Sequence, residues 1–186
     1  MENPIIKEVV LPATIRKIGD YALSGVPYEN NTRAFSLPRD LEVIGDYAFA
    51  HNGSTNNGKE LKLPAKLKSI GNGAFQWNQF QAITIPFSVK SIGKYAFEYN
   101  DLKKVTIGSG ITAIPAGAFR SNRISSLTLS KNIVAIDNEA FSLNRLPRLI
   151  LPSSVETIGD FAFSHNQIIA MTLGKNVKAI GDGAFV

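Results

Sequence analysis

Cysteine is absent from the 186 residues. That removes disulfides, thiol nucleophiles and thiolate metal sites together. Histidine occurs only at His51 and His165, and tryptophan only at Trp77. No apolar run approaches the roughly 18–20 residues needed to span a bilayer, so no membrane insertion is expected. Dense basic runs are missing too. The formal charge of +5 is scattered along the chain, and a nucleic-acid partner is not expected. Met1-Glu2-Asn3-Pro4 leads straight into patterned sequence without the features of a signal peptide. This fits either a cytoplasmic protein or a piece of a secreted one lacking its leader. A hydrophobic fraction of 44% and a charged fraction of 19% are those of an ordinary folded domain.

What is present is a repeat. An Ala-Phe pair ends at Phe49, Phe75, Phe97, Phe119, Phe141, Phe163 and Phe185, with Ala22-Leu23 at the equivalent place; the step is 26 residues twice and 22 thereafter. Isoleucine stands five residues before each of these positions, from Ile18 to Ile180. Upstream lies an alternating pair such as Leu61-Lys62-Leu63, Ile83-Thr84-Ile85 or Val105-Thr106-Ile107. Alternation of period two predicts a short strand with one face buried. The prolines that often follow, such as Pro64, Pro86 and Pro152, cannot donate to a ladder and end it.

Between Ile and Phe, a stretch such as Gly45-Asp46-Tyr47-Ala48-Phe49 predicts one tight helical turn with Ala and Phe inward. Asp20, Asp46, Asp160 and Asp182 are expected to cap that turn, and the recurring Ile-Gly glycines read as turn residues. Three residues after each Phe from Phe49 to Phe163 comes asparagine: Asn52, Asn78, Asn100, Asn122, Asn144 and Asn166. A column of asparagines predicts a hydrogen-bonded ladder along one edge.

The expected architecture is therefore a single α/β repeat solenoid, a right-handed leucine-rich-repeat superhelix. About eight units of 22–26 residues would place short parallel strands on one face and short helical turns on the other. The array spans 1–186, with units near 6–31, 32–57, 58–79, 80–101, 102–123, 124–145, 146–167 and 168–186. Ile6 already fills a core column and Val186 falls midway through a unit, so a fragment of a longer protein, or an array capped by end-to-end self-association, is expected.

The unit from Leu149 to Phe163, Leu-Ile-Leu-Pro-Ser-Ser-Val-Glu-Thr-Ile-Gly-Asp-Phe-Ala-Phe, resembles the BspA-like class of leucine-rich repeats. The resemblance covers nearly the whole chain. It implies a bacterial or protozoan surface or secreted protein that adheres to host or matrix proteins. Where many relatives carry cysteine after Ala-Phe, asparagine stands here.

Chemistry is scarce. His51 and His165 lie five repeats apart in equivalent loops, no acid–base–nucleophile set converges, and no enzyme activity, cofactor or metal is expected. Three surfaces are candidates for a protein partner. One is the outward strand column Lys62, Thr84, Thr106, Thr128 and Thr172, interrupted by Ile150, with Phe87 just past its strand; the resemblance implies binding through this concave side. A second is the loop column His51, Trp77 and Tyr99, because aromatics in a row make binding hot spots. The third is the pair of four-residue insertions around residues 27–31, including Tyr28, and 53–58. The leading function is a non-enzymatic protein-binding or adhesion module. A structural spacer or self-assembling array is the alternative, and glycan or polyanion recognition comes third.

Overall fold

The computed structural model describes residues 10–26, 36–52 and 60–186. Its regular structure consists of short parallel strands in two rows. The Ile row contains Lys17–Ile18, Val43–Ile44, Ser69–Ile70, Ser91–Ile92, Ala113–Ile114, Ala135–Ile136, Thr157–Ile158 and Ala179–Ile180. The Leu row contains Glu60–Leu61, Ala82–Ile85, Lys104–Ile107, Ser126–Thr128, Arg148–Ile150 and Ala170–Thr172. Register equals the repeat step: Ile18 pairs with Ile44, Ile44 with Ile70, and Ile83 with Val105. Each residue therefore stacks on its own equivalent in the next coil, and the apolar columns close into one continuous core.

Two expectations need correction. No helix occurs among the described residues, and the coil makes about seven turns, so a count of eight units is not supported. The Ala-Phe segment forms tight turns, such as Ala74 N–H to Gly71 C=O at 3.4 Å and Gln76 N–H to Gly73 C=O at 3.0 Å. A right-handed helix is ruled out because two positions per coil have positive φ. One column includes Tyr47 (52°), Gly73 (54°) and Tyr95 (58°); the other includes His51 (60°), Trp77 (57°) and Tyr99 (52°). This backbone costs a non-glycine residue about 1–2 kcal/mol. It turns alternate N–H groups toward the next coil: Tyr47 donates to Asn72 O at 2.7 Å, Phe49 to Ala74 O at 2.8 Å and His51 to Gln76 O at 2.9 Å. The turn side is thus a third hydrogen-bonded wall.

Behind that wall the phenylalanines stack from Phe49 to Phe185, neighbouring centroids lying between 5.3 Å (Phe49–Phe75) and 5.7 Å (Phe163–Phe185). The asparagine ladder forms beside them. Asn122 Nδ2 donates to Phe97 O at 2.9 Å and Phe119 O at 3.2 Å, while its Oδ1 accepts from Leu102 N–H at 3.0 Å. Asn100 and Asn144 repeat the arrangement.

The Asp column does different work from that expected. With no helix to cap, Asp20 Oδ1 accepts from Asp46 N–H at 2.8 Å, and Asp46 Oδ1 from Asn72 N–H at 2.7 Å. The side chain of one coil thus holds the backbone of the next. The Ile-Gly glycines after Gly19 are likewise needed for close approach: a Cβ on Gly159 would lie 2.4 Å from Asn138 Oδ1 and 2.6 Å from Asn138 N.

Both strand rows are interrupted, and a proline sits at each gap. Gly45, Gly71 and Gly93 donate to the Ile carbonyl of the preceding coil at 2.8–2.9 Å. Pro115 occupies that column without an N–H, and the Ile row splits between Ile92 and Ala113. In the Leu row, Ser125 donates to Lys103 O at 3.0 Å. Pro147 cannot repeat this toward Ser125, and the row splits between Thr128 and Arg148. The turn wall continues across both gaps, through Phe97 N–H to Ala118 O at 2.9 Å and Phe119 N–H to Ala140 O at 2.9 Å.

Candidate functional site: a strand-lined face and an aromatic edge

The Leu row buries its Leu and Ile side chains and turns the alternate column outward. Thr84, Thr106 and Thr128 lie side by side in register. Thr84 and Thr128 are exposed and Thr106 is half-buried; Lys62, the equivalent residue one coil earlier, is exposed. Ile150 continues the column with 76% of its surface accessible. Phe87, just beyond its strand, is 69% exposed. The flanking positions are charged: Lys103, Lys104, Arg145 and Arg148 are all exposed.

His51, Trp77 and Tyr99 form one continuous stack on the turn side. His51 and Trp77 lie 6.0 Å apart at 12°, and Trp77 and Tyr99 lie 3.9 Å apart at 14°. All three sit on left-handed backbone, which aligns their side chains on one edge. Trp77 is covered by a ring on each face, and its edge meets solvent; it is 46% exposed. Ser121 follows Tyr99 in the column and ends the stack. This edge and the strand column occupy different sides of the coil, so the candidate residues do not converge on one site. Tyr28 and both insertions lie outside the described residues.

A polar cluster was missed by sequence reasoning. Glu98 is 4% exposed, accepts a hydrogen bond from Gln76 Nε2 and pairs with Arg120 Nη1 at 3.3 Å. Arg120 Nε lies 3.0 Å from the Glu139 carboxylate. Burial raises the Glu98 carboxyl above its ordinary value, while Gln76 and Arg120 oppose the shift. The Glu139 carboxylate is the second acid here, and it shares Arg120 with Glu98 across the coils, so the cluster reads as inter-coil packing. Its signal was available: the residue after each Phe is Ala or Ser in several coils, but Gln76, Glu98 and Arg120 in three consecutive ones.

A second omission is the aromatic column over the first left-handed position. Tyr47 covers Gly73, and Tyr95 covers Gly117; a Cβ on either glycine would lie 2.3 Å from a ring carbon. Glycine there makes room for the neighbouring ring.

The Ile-row side carries a groove of about 540 Å³ lined by Arg16, Asp40, Glu42, Lys66, Lys68 and Lys90, with Ser88. Its charges largely satisfy one another: Lys66 bonds Asp40 at 2.6 Å, and Lys68 pairs with Glu42. The hydrogen bonds from these lysines hold both carboxyls below their ordinary values. Among the described residues no group of three His, Cys, Asp or Glu side chains is placed to hold a metal, and no helix is long and apolar enough to cross a membrane.

The column geometry agrees with comparison to known proteins. The BspA type leucine rich repeat region model matches residues 2–122 and 68–186, in six copies. The chain belongs to this family. Among solved structures it is similar to YopM from Yersinia enterocolitica WA-314, with TM-score 0.59 and 16% identity over 94% of this chain and 34% of that one. It is also similar to a leucine rich cell surface protein from Faecalibacterium prausnitzii A2-165, with TM-score 0.55 and 23% identity over 90% of this chain and 46% of that one. The chain thus spans under half the length of either structure, and the likeness is one of fold. No curated protein matches it.

Proposed function

We propose that this BspA-type array is a non-enzymatic protein-binding or adhesion module that works at a cell surface or outside the cell. The observation that carries the reading is the division of labour within each coil. Phe, Ile, Asn and Asp side chains are committed to the neighbouring coils, whereas the outward Leu-row residues Lys62, Thr84, Thr128 and Ile150 are exposed. A rigid row of free side chains, flanked by cations and an exposed aromatic, is suited to a protein partner. The surface location draws support from the family and from the printed description of the Faecalibacterium protein as a cell surface protein.

The test is binding to a panel of extracellular-matrix proteins and host cells. The wild-type chain is compared with Trp77→Ala and with the double variant Thr106→Glu/Thr128→Glu, folding being checked by circular dichroism. Loss in the double variant alone would assign binding to the Leu row; loss in Trp77→Ala alone would assign it to the aromatic edge. Absence of binding at micromolar concentration, together with concentration-dependent association, would favour a spacer or end-to-end array instead.

A further inference from the structure

The charges on the three coils spanning 101–166 are segregated. Over the Leu-row segments 101–107, 123–129 and 145–151, the cations are Lys103, Lys104, Arg123, Arg145 and Arg148, against Asp101 alone among acids. The intervening segments 108–122, 130–144 and 152–166 hold Arg120 and Lys131 against Asp137, Glu139, Glu156 and Asp160. One side of the same three coils is therefore basic and the remainder acidic. Only Arg123 has its charge answered within the basic set, by Asp101 at 3.2 Å. With coils about 4.8 Å apart, Arg145 lies one step from Arg123, and Arg148 two steps from Lys104. Neighbouring cations of this patch thus lie within about a Debye length of each other.

Apolar surface interrupts this patch. Ile150 is 76% exposed in a column otherwise made of Lys and Thr, Ile169 is 83% exposed beside the next strand, and Pro147 is exposed between Arg145 and Arg148. A purely polyanionic ligand would gain nothing from Ile150 or Ile169. Burying either against an apolar side chain while carboxylates meet the guanidinium groups satisfies both features.

We infer that the face around Arg145, Arg148 and Ile150 docks an acidic polypeptide segment in which Asp or Glu alternates with large apolar residues. This inference rests on the protein-binding reading and specifies the partner's chemistry. Approach is accelerated by the net positive patch and is salt-sensitive, while the apolar contact gives the complex its dependence on Ile150.

The probes are three: an array of synthetic 15-mers with Glu or Asp alternating with Leu, Phe or Trp; poly-glutamate; and heparin. Each is tested against the wild type, Arg145→Ser/Arg148→Ser and Ile150→Ser. The expected result is selective capture of acidic–apolar peptides, weakening as NaCl rises from about 50 to 300 mM, with a loss of about fivefold or more in either variant. Heparin or poly-glutamate binding as well as the peptides, unaffected by Ile150→Ser, would overturn the inference in favour of polyanion recognition. Capture of none of the probes would overturn it as well. The matrix-protein and cell panel separates the two levels: binding there that survives both patch variants removes this face but keeps the protein-binding reading, whereas no binding there removes the reading itself.

Discussion

On the turn side of the coil the inward side chains are committed to neighbouring coils, while the outer column that holds Trp77 and Tyr99 reaches solvent. Phe119 is fully buried between two other rings, Asn122 bonds backbone in its own coil and in the one before, and Asp46 holds Asn72. On the Leu row the inward residues do the same, but the outward ones, Thr84 and Ile150 among them, face solvent. Substitution of these inward turn-side residues is therefore expected to cost stability. Substitution on the outer Leu row should cost binding instead.

The largest effect is expected at the ring stack. Phe119→Ala should destabilise the array by about 3–5 kcal/mol, measurable by denaturant unfolding. Hydrogen exchange should accelerate in the coils flanking Phe119, since each coil depends on its nearest neighbours; unchanged protection there would break the picture of a committed side. Asn122→Ala should follow at about 1–3 kcal/mol, because it takes the acceptor from the buried Leu102 N–H and leaves the Phe97 and Phe119 carbonyls with the neighbouring asparagine alone. Gly159→Ala should cost about the same, roughly 1–3 kcal/mol, since its Cβ must displace Asn138.

Glu98 sharpens the contrast through pH. Its carboxyl is raised, so folding favours the protonated acid. That contribution is complete below the unfolded value and is lost as pH rises through the folded one. Glu98→Gln should therefore unfold at a higher temperature than wild type near pH 7, with the gap closing as pH falls below the folded value; a gap that widens in acid would refute the assignment. The smallest effect is expected on the outer strand column. Thr84→Ala should shift stability by about 0.5 kcal/mol or less in the same unfolding assay, and a larger cost would mean that this face is structural.

Much of this organisation could be read from the residues because the repeat is so regular. The Phe, Ile and Asn columns, the Leu-row strands and the free Thr column all follow from fixed spacing. The Ile-row strands were harder to recognise. Each is two residues long and shows no alternation, and only pairing with equivalents one coil away defines it. The helical turn was mis-assigned because Gly-Asp-Tyr-Ala-Phe has acceptable local helix propensity; the interaction that decides its form, Tyr47 N–H to Asn72 O, comes from another coil. The gaps at Pro115 and Pro147 were visible as prolines in columns otherwise able to donate, yet their effect required knowing where each N–H points.

By itself, then, the amino-acid sequence determined the repeat step, the core columns and the asparagine ladder, because each arises when identical residues are superposed at one interval. Tertiary structure decided the second strand row, the left-handed turns, the inter-coil role of aspartate and, over 101–166, the separation of basic Leu-row segments from acidic turns. The reason is that hydrogen bonds between coils can offset backbone conformations that a single coil would not hold. Only closure of the coil determines which residues share a side.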